Sequence, residues 1–441
     1  MAFTKKNFSS FGAVNPLRRD FITLDIEGNL NKPFSQYKIN SKTKNYIGMG
    51  AGQSYGPISI SKPNGVTIKM HRSASSKITL DKNKSTVLVD SDVNIRTLNN
   101  YLIANGYCLS VMPGSDKATV GGCVAADVHG KNCHINGSFG DYVISIYIFD
   151  PTLGKSFLVE KGDNTFYWTI GGFGVTGLIL CVRLKIIMLP GNSMVLNEIR
   201  CLSPESLIKS LVKESENSDD IGAWFCIDNT KFKSKIYIAN WSHKNPKTSL
   251  KIPDIFSRFI FTFLGLYLWR RFMIKFLNCY IYLSKESQHP REINSVMFPL
   301  STITGWNKIY GSSFVERQFL VPFNYGTETM KGIINIYRKY KAISLFCSIK
   351  IFRGKRIGFM SFANEGICLS IQYESHLKEL DNELTIFLLK QGFPEYIAKI
   401  QQTSTSFPTG YKRYKTWFNI AKKNKVDSIL MSWLKMNAKN R

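Results

Sequence analysis

Three glycine-rich segments in the first half of this 441-residue chain constrain its fold more than any other feature. Residues 48–56 read GMGAGQSYG, residues 113–132 read PGSDKATVGGCVAADVHGKN, and residues 171–177 read GGFGVTG. Glycine lets a backbone approach a ligand closely and present N–H groups to phosphate. Thr119, Gly121, Gly122, Ala125 and Ala126 are all small, which permits close packing against something flat or extended. The third segment contains Gly172, Gly174 and Gly177 as G-x-G-x-x-G. That fingerprint marks a dinucleotide site only between a strand and a helix. Here the strand-like run LILCVRLKII follows it, so a Rossmann site is rejected.

The surrounding pattern predicts alternating strands and helices. Thr86–Val89, Val143–Phe149 and Leu178–Ile187 are strand-like. Ser91 or Asp92 can cap a helix that aligns Ile95, Leu98 and Leu102 and ends at Gly106. Beyond the Pro190-Gly191 turn the texture changes. Strand-like runs at Phe319–Pro322, Ser344–Ile351 and Ile367–Tyr373 mix with helices near 205–215, 327–341 and 375–391. These predict an α+β chain with a first domain over 1–195. A second domain over 196–410 is built around an antiparallel sheet, and a helical tail over 411–441 returns to the first.

Composition adds less. The net charge of +27 attracts phosphates, nucleic acid or anionic lipid, but charge alone decides nothing. The 9 cysteines form no C-x-x-C pair, which argues against a zinc site or a disulfide framework, and no metal is expected. They fit a reducing compartment, hence the cytoplasm. The first residues, MAFTKKNFSSFG, lack the apolar core of a signal peptide. Residues 255–283 are rich in rings and aliphatics. The longest uncharged run, Phe259–Trp269, is short of the ~20 residues a spanning helix needs. This segment is either a helix lying in a lipid interface or a buried helix of the second domain.

Together, GAGQSYG, the PG…VGG…HG stretch and the YWTIGGFGVTG stretch resemble the FAD-binding domain of the PCMH-type (vanillyl-alcohol-oxidase) superfamily. Within it the chain looks most like the decaprenylphosphoryl-β-D-ribose 2′-oxidases. TVGGCVAADVHGKNCHINGSFG at 119–140 carries most of that likeness. TGWNKIYG at 304–311, RQFLVP at 317–322 and YIAK at 396–399 add to it. The resemblance implies two α/β subdomains holding FAD between them, with an α+β substrate domain over the isoalloxazine. It implies that Gly50, Ala51, Gly52, Gln53, Ser54, Tyr55 and Gly56 hug the pyrophosphate. Gly114 with Thr119, Val120, Gly121, Gly122 and Ala125 would continue the cradle. His129, Gly130 and Asn132 would line the ring, Gly177 and Leu178 would touch the adenine side, and Tyr396 would contact the cofactor. Relatives that tether FAD covalently use a His where Gln53 stands, or a Cys near Lys117 and Ala118. Non-covalent FAD is therefore expected.

The same resemblance implies a substrate set of Tyr55, Lys131, Gln318, Lys350, Cys368 and Lys399, with Lys399 and His129 as the catalytic pair. A cation beside the flavin would stabilise its reduced form or bond the substrate hydroxyl. Gly366 departs from a typical Asn, and Gln53 from a frequent Arg. The implied reaction is oxidation of a secondary hydroxyl, namely the 2-hydroxyl of a polyprenyl-phosphate pentose. A partner short-chain reductase and an anionic membrane surface would accompany it, with peripheral placement at the inner face of the cell membrane. Two alternatives stay open. One is an aldonolactone oxidase, whose family motif resembles GFPEYIAK at 392–399 but has His and Trp where Glu395 and Tyr396 stand. The other is a basic nucleic-acid-binding protein, for which the glycine segments would have no purpose.

Overall fold

The structure, a computed structural model, describes residues 4–8, 17–27, 45–73, 77–227, 232–247, 267–285, 288–299, 314–344, 346–401 and 414–439. The TGWNKIYG stretch and residues 255–266 lie outside them. The N-terminal half forms two small sheets. Strands β1 (Thr4–Phe8), β2 (Leu17–Glu27), β3 (Tyr46–Gly48) and β4 (Val66–Ser73) make the first, in the order β1-β2-β4-β3. In it β4 runs parallel to both β2 and β3. Strands β5 (Ile78–Asp81), β6 (Thr86–Asp90), β8 (Val143–Asp150), β9 (Lys155–Glu160) and β10 (Leu178–Lys185) make the second, in the order β5-β6-β10-β8-β9. The short strands β7 (Tyr107–Cys108) and β11 (Ile187–Met188) pair beside it.

The helix Ile95–Ala104 buries Ile95, Leu98 and Leu102, the face its spacing predicts. Its cap is Asn94, whose side chain accepts from the Thr97 N–H at 2.8 Å. Neither Ser91 nor Asp92 fills that role. The Ser91 N–H donates to the Leu180 carbonyl, and Asp92 is held by Lys77 and His71. Strand β10 follows Gly177 directly, as the rejection of a Rossmann site requires.

The second half supplies one six-stranded antiparallel sheet. Its strands are β12 (Ser193–Cys201), β13 (Asp220–Ile227), β14 (Phe232–Ser242), β15 (Phe314–Val321), β16 (Cys347–Phe352) and β17 (Gly366–Glu374), in the order β12-β14-β13-β16-β17-β15. The helices Pro204–Glu214, Gly326–Lys339 and Lys378–Gln391 cover one face. Leu207, Leu211, Ile333, Tyr337, Leu380 and Leu384 pack there against Ile221, Ile349, Phe319 and Leu369. Every residue of β15 and β17 is buried, so burial does not alternate along them. Chemistry does. Val315, Phe319, Ile367, Leu369 and Ile371 join the helix-side core. Glu316, Gln318, Ser370 and Gln372, one residue out of phase, face the other way into a chamber. A strand's side-chain period of two makes this the only arrangement that gives the apolar set a core.

Arg317 is the exception on the helix side. It is 1% exposed, and its guanidinium donates to both carboxylate oxygens of Glu395 at 2.9 Å and to Thr385 at 2.8 Å. Breaking a buried pair strands a charge, at a cost of about 3–5 kcal/mol. Arg317→Leu is therefore expected to lower unfolding stability by about that much, measured by urea titration. A wild-type midpoint would show that the pair holds nothing.

The helices Tyr414–Lys423 and Ile429–Lys439 return to the first unit. The Trp417 indole N–H donates to the Gly172 carbonyl at 2.9 Å, and Asn424 donates to the Val175 carbonyl at 2.8 Å. The Tyr46 N–H donates to the Lys425 carbonyl. Trp417, Leu430 and Leu434 share a core with Tyr46, Val66 and Ile68. The tail thus braces two of the three glycine segments from behind.

Candidate active site

A cavity of about 1670 Å³ lies between the two N-terminal sheets and the polar face of the six-stranded sheet. Close contacts along its wall give it direction. Gly48 sits against Leu178, Gly50 against Thr119, Gln53 against Ser115, and Tyr55 against Lys399. It forms a track whose wall is glycine in one part and polar side chains in another. A cavity above ~1000 Å³ exceeds what one small substrate needs.

The glycine part is narrow because side chains are missing. A Cβ on Gly50 would lie 2.3 Å from Thr119 Oγ1. Thr119 caps the short helix Val120–Ala126 by accepting from the Gly122 N–H. Gly121 backs onto Ser91, with its N–H on the Ser91 carbonyl and its missing Cβ only 2.7 Å from that residue's Cβ. Gly122 instead opens onto the cavity. The one atom a Cβ there would crowd is Thr119 Oγ1, at 3.1 Å.

The polar end gathers residues from well-separated stretches of the chain. His129 is buried among Phe352, Tyr396 and Phe362, with ring centroids 4.8, 5.2 and 5.7 Å away. Burial, with Lys350 and Lys399 nearby, holds its pKa well below the usual histidine range, so it is neutral. Its Nδ1 and the Gln318 Oε1 are buried without a hydrogen-bond partner among the described residues. Such atoms are costly unless something satisfies them. Lys399 Nζ lies 2.8 Å from Glu316 and 3.5 Å from the Tyr55 ring centroid. Its side chain keeps 21% of its surface open. Burial lowers the Lys399 pKa against the pull of Glu316. Burial alone would raise Glu316, but Lys399 outweighs it, with Ser370 and Gln372 donating to the same carboxylate, and holds it below the usual range. Lys131 donates to the Val296 carbonyl at 3.0 Å beside Asp220, and Tyr396 donates to the Ala126 carbonyl at 3.0 Å.

Most of the expected contact residues line this track, namely Gly50–Tyr55, Gly114, Thr119, Gly121, Gly122, Ala125, His129, Gly130, Lys131, Gly177, Leu178, Gln318, Lys350, Tyr396 and Lys399. Four do not. Gly56 is closed off by the Ile400 carbonyl, 1.9 Å from where its Cβ would be. Val120 points into the core with Cys123 and Val124. Asn132 turns away and donates to the Ser110 carbonyl at 2.6 Å. Cys368 stands behind Gln318, whose amide donates to its sulfur at 2.9 Å, and burial pushes its thiol up to about 11. It is therefore a neutral thiol that orients Gln318 rather than part of the wall. Glu316, Ser370 and Gln372 went unpredicted. Their signal was present as polar residues two apart in FVERQFLV and ICLSIQYE.

The track, its glycine part and its unsatisfied polar end fit a flavin dinucleotide. The residues present would hold the diphosphate at Gly50–Tyr55 and Gly121–Gly122 and the ring system near His129 and Lys399. Residues 38–155 match the FAD binding domain family. The chain therefore carries an FAD binding domain and is an FAD-dependent oxidoreductase. It is similar to decaprenylphosphoryl-beta-D-ribose oxidase of Mycolicibacterium smegmatis, with 28% identity over 420 residues that cover 88% of this chain and 87% of that protein. It is also similar, at 33% identity over 94 residues, to an uncharacterized protein of Streptomyces coelicolor, covering 21% of this chain and 25% of that one.

At the two positions where tethering relatives carry His or Cys, this chain has Gln53 and Lys117-Ala118. Gln53 is engaged with Ser115, and Cys123 and Cys133 are core thiols whose pKa burial raises well above the usual value. Acid or heat precipitation is expected to leave the yellow colour in the supernatant. Colour that stays with the pellet would contradict this.

Proposed function

We propose that this enzyme oxidises a secondary hydroxyl of a sugar-like substrate, the 2-hydroxyl of a polyprenyl-phosphate pentose. The observation that carries this reading is the polar end of the track. There a paired ammonium (Lys399), a neutral imidazole with an unsatisfied nitrogen (His129), an amide (Gln318) and a second cation (Lys350) converge. FAD, which Gly50–Tyr55 and Gly121–Gly122 would hold, would supply a hydride acceptor for the carbinol carbon. Lys399 donates a hydrogen bond to the hydroxyl oxygen and polarises it. With the Gln318 amide donating toward His129 Nε2 at 3.4 Å, the neutral ring carries its proton on Nδ1, so Nε2 is the nitrogen that takes the departing proton and Nδ1–H donates to a substrate oxygen. Tyr55 lies under the ammonium and holds it by a cation–π contact, while Gln318 and Lys350 orient the sugar hydroxyls. The keto sugar formed is a substrate for a reductase, and a short-chain reductase would complete an epimerisation.

The aldonolactone alternative is disfavoured by Glu395. That residue is committed to the bidentate pair with buried Arg317, so it belongs to the scaffold of the sheet. Anaerobic mixing of the FAD-loaded enzyme with a prenyl-phosphoryl pentose is expected to bleach the flavin in a single phase. Bleaching by an aldonolactone but not by the pentose would overturn the substrate assignment and leave the flavin site standing.

A further inference from the structure

The helix Tyr267–Leu283 contains no acidic residue. Among the described residues it is anchored to the second domain through Ile274, Asn278 and Arg271. Ile274 and Asn278 are buried, and the Asn278 amide donates to the Ser344 carbonyl at 2.8 Å. Its C-terminal end is tied down by cations. Arg200 donates to the Leu283 carbonyl at 3.0 Å, and Lys235 donates to the Ser284 carbonyl at 2.5 Å. Such charges suit the negative end of a helix. The helix therefore has its packing face and its cap already.

The opposite face remains in solvent. Phe272, Phe276, Tyr280 and Leu283 are each between 55% and 62% exposed. The first three stand four residues apart and so form a single ridge along the helix. Lys275 and Lys285 are exposed beside them, while the partly exposed Arg271 is tied to the Lys341 carbonyl and to Glu374. The ridge is continuous with the track, because Phe276, Leu277, Tyr280 and Ile281 line the cavity.

We propose that this ridge is a lipid-docking surface that seats the mouth of the track on an anionic bilayer. Rings with interleaved cations and no carboxylate match such a surface, where aromatics enter the headgroup boundary and Lys or Arg meet the phosphates. A protein partner is a poorer match, since Lys is depleted at protein interfaces. The face closes against one kind of occupant, negatively charged outside and apolar within. The proposal does not depend on which sugar is oxidised.

The test is sedimentation of the FAD-loaded full chain with vesicles of phosphatidylcholine alone or mixed with phosphatidylglycerol. Wild type is expected to bind the mixed vesicles and to release them in high salt. Phe272→Ser/Phe276→Ser leaves the +27 net charge untouched, so it separates docking from bulk attraction. It is expected to bind roughly tenfold more weakly or worse, with an unchanged circular dichroism melt, and Lys275→Glu should weaken binding as well. Wild-type binding by the double Phe variant would overturn the proposal, because charge alone would then explain the attraction. Absence of binding to anionic vesicles would overturn it too. So would a concentration-dependent dimer that the Phe variant abolishes, since the ridge would then join two copies of the chain.

Discussion

Gly122→Val is expected to give a folded protein that no longer carries FAD. Its position faces the cavity, and a Cβ there would lie 3.1 Å from Thr119 Oγ1. The added isopropyl group would instead fill cavity space that a diphosphate must occupy against the glycine backbone. Loss of that approach should weaken binding roughly 100-fold or more, which is about 3 kcal/mol. Gly121→Val provides the contrast. Its Cβ would lie 2.7 Å from the Ser91 Cβ and 3.2 Å from the Ser91 carbonyl, so the damage falls on the fold. Gly121→Val is expected to melt early or fail to purify, whereas Gly122→Val should show a native far-ultraviolet spectrum and no visible flavin band. A yellow Gly122→Val protein with a full flavin ratio would sink the placement of the diphosphate.

Lys399 carries the second large effect, and the structure changes how it must be tested. Removing the ammonium deprives the substrate hydroxyl of a charged hydrogen bond worth ~1.5–3 kcal/mol. Flavin reduction should slow by roughly 10- to 100-fold. The same change leaves Glu316 buried opposite nothing but Ser370 and Gln372, so Lys399→Ala alone also destabilises the fold. Lys399→Met/Glu316→Gln separates the two. The double variant keeps the apolar stem, removes both charges and should regain the melting temperature lost in Lys399→Met. It should not regain the rate in anaerobic stopped-flow reduction. Lys390→Ala, exposed near the end of the helix Lys378–Gln391, is the silent control. A double variant that reduces its flavin at the wild-type rate would make Lys399 a structural residue only.

Much of this was legible in the sequence. The glycine segments fixed where the backbone must come close to something, because no other residue tolerates a contact such as that of Gly50 with Thr119. The 3.6-residue spacing of Ile95, Leu98 and Leu102 placed a helix whose buried face is the expected one, and the helices expected near 205–215 and 327–341 stand at Pro204–Glu214 and Gly326–Lys339. The likeness to known flavin domains named the cofactor. Local pattern also misled in places. Asn132 and Val120 lie within the stretch that resembles the cofactor cradle, yet one bonds to Ser110 and the other packs in the core. Successive residues on a turn or a helix point in different directions, so membership in a motif does not mean facing the ligand.

The sequence by itself determined the glycine-lined backbone, the periodicities of its helices and strands and the absence of a strand–helix context for the G-x-G-x-x-G. Each is set by steric or hydrophobic preferences acting over a few residues. Only the tertiary structure decided which carboxylate meets Lys399. Glu316 lies on β15 and Lys399 on the turn Ile397–Lys399 that follows the helix Lys378–Gln391, and the sheet brings them to 2.8 Å. It also decided that Arg317, one residue further along β15, serves the fold while its neighbour serves the site. The reason is the pleat of a strand, which turns consecutive side chains to opposite faces, together with three helices that cover one of those faces and leave the other to the chamber.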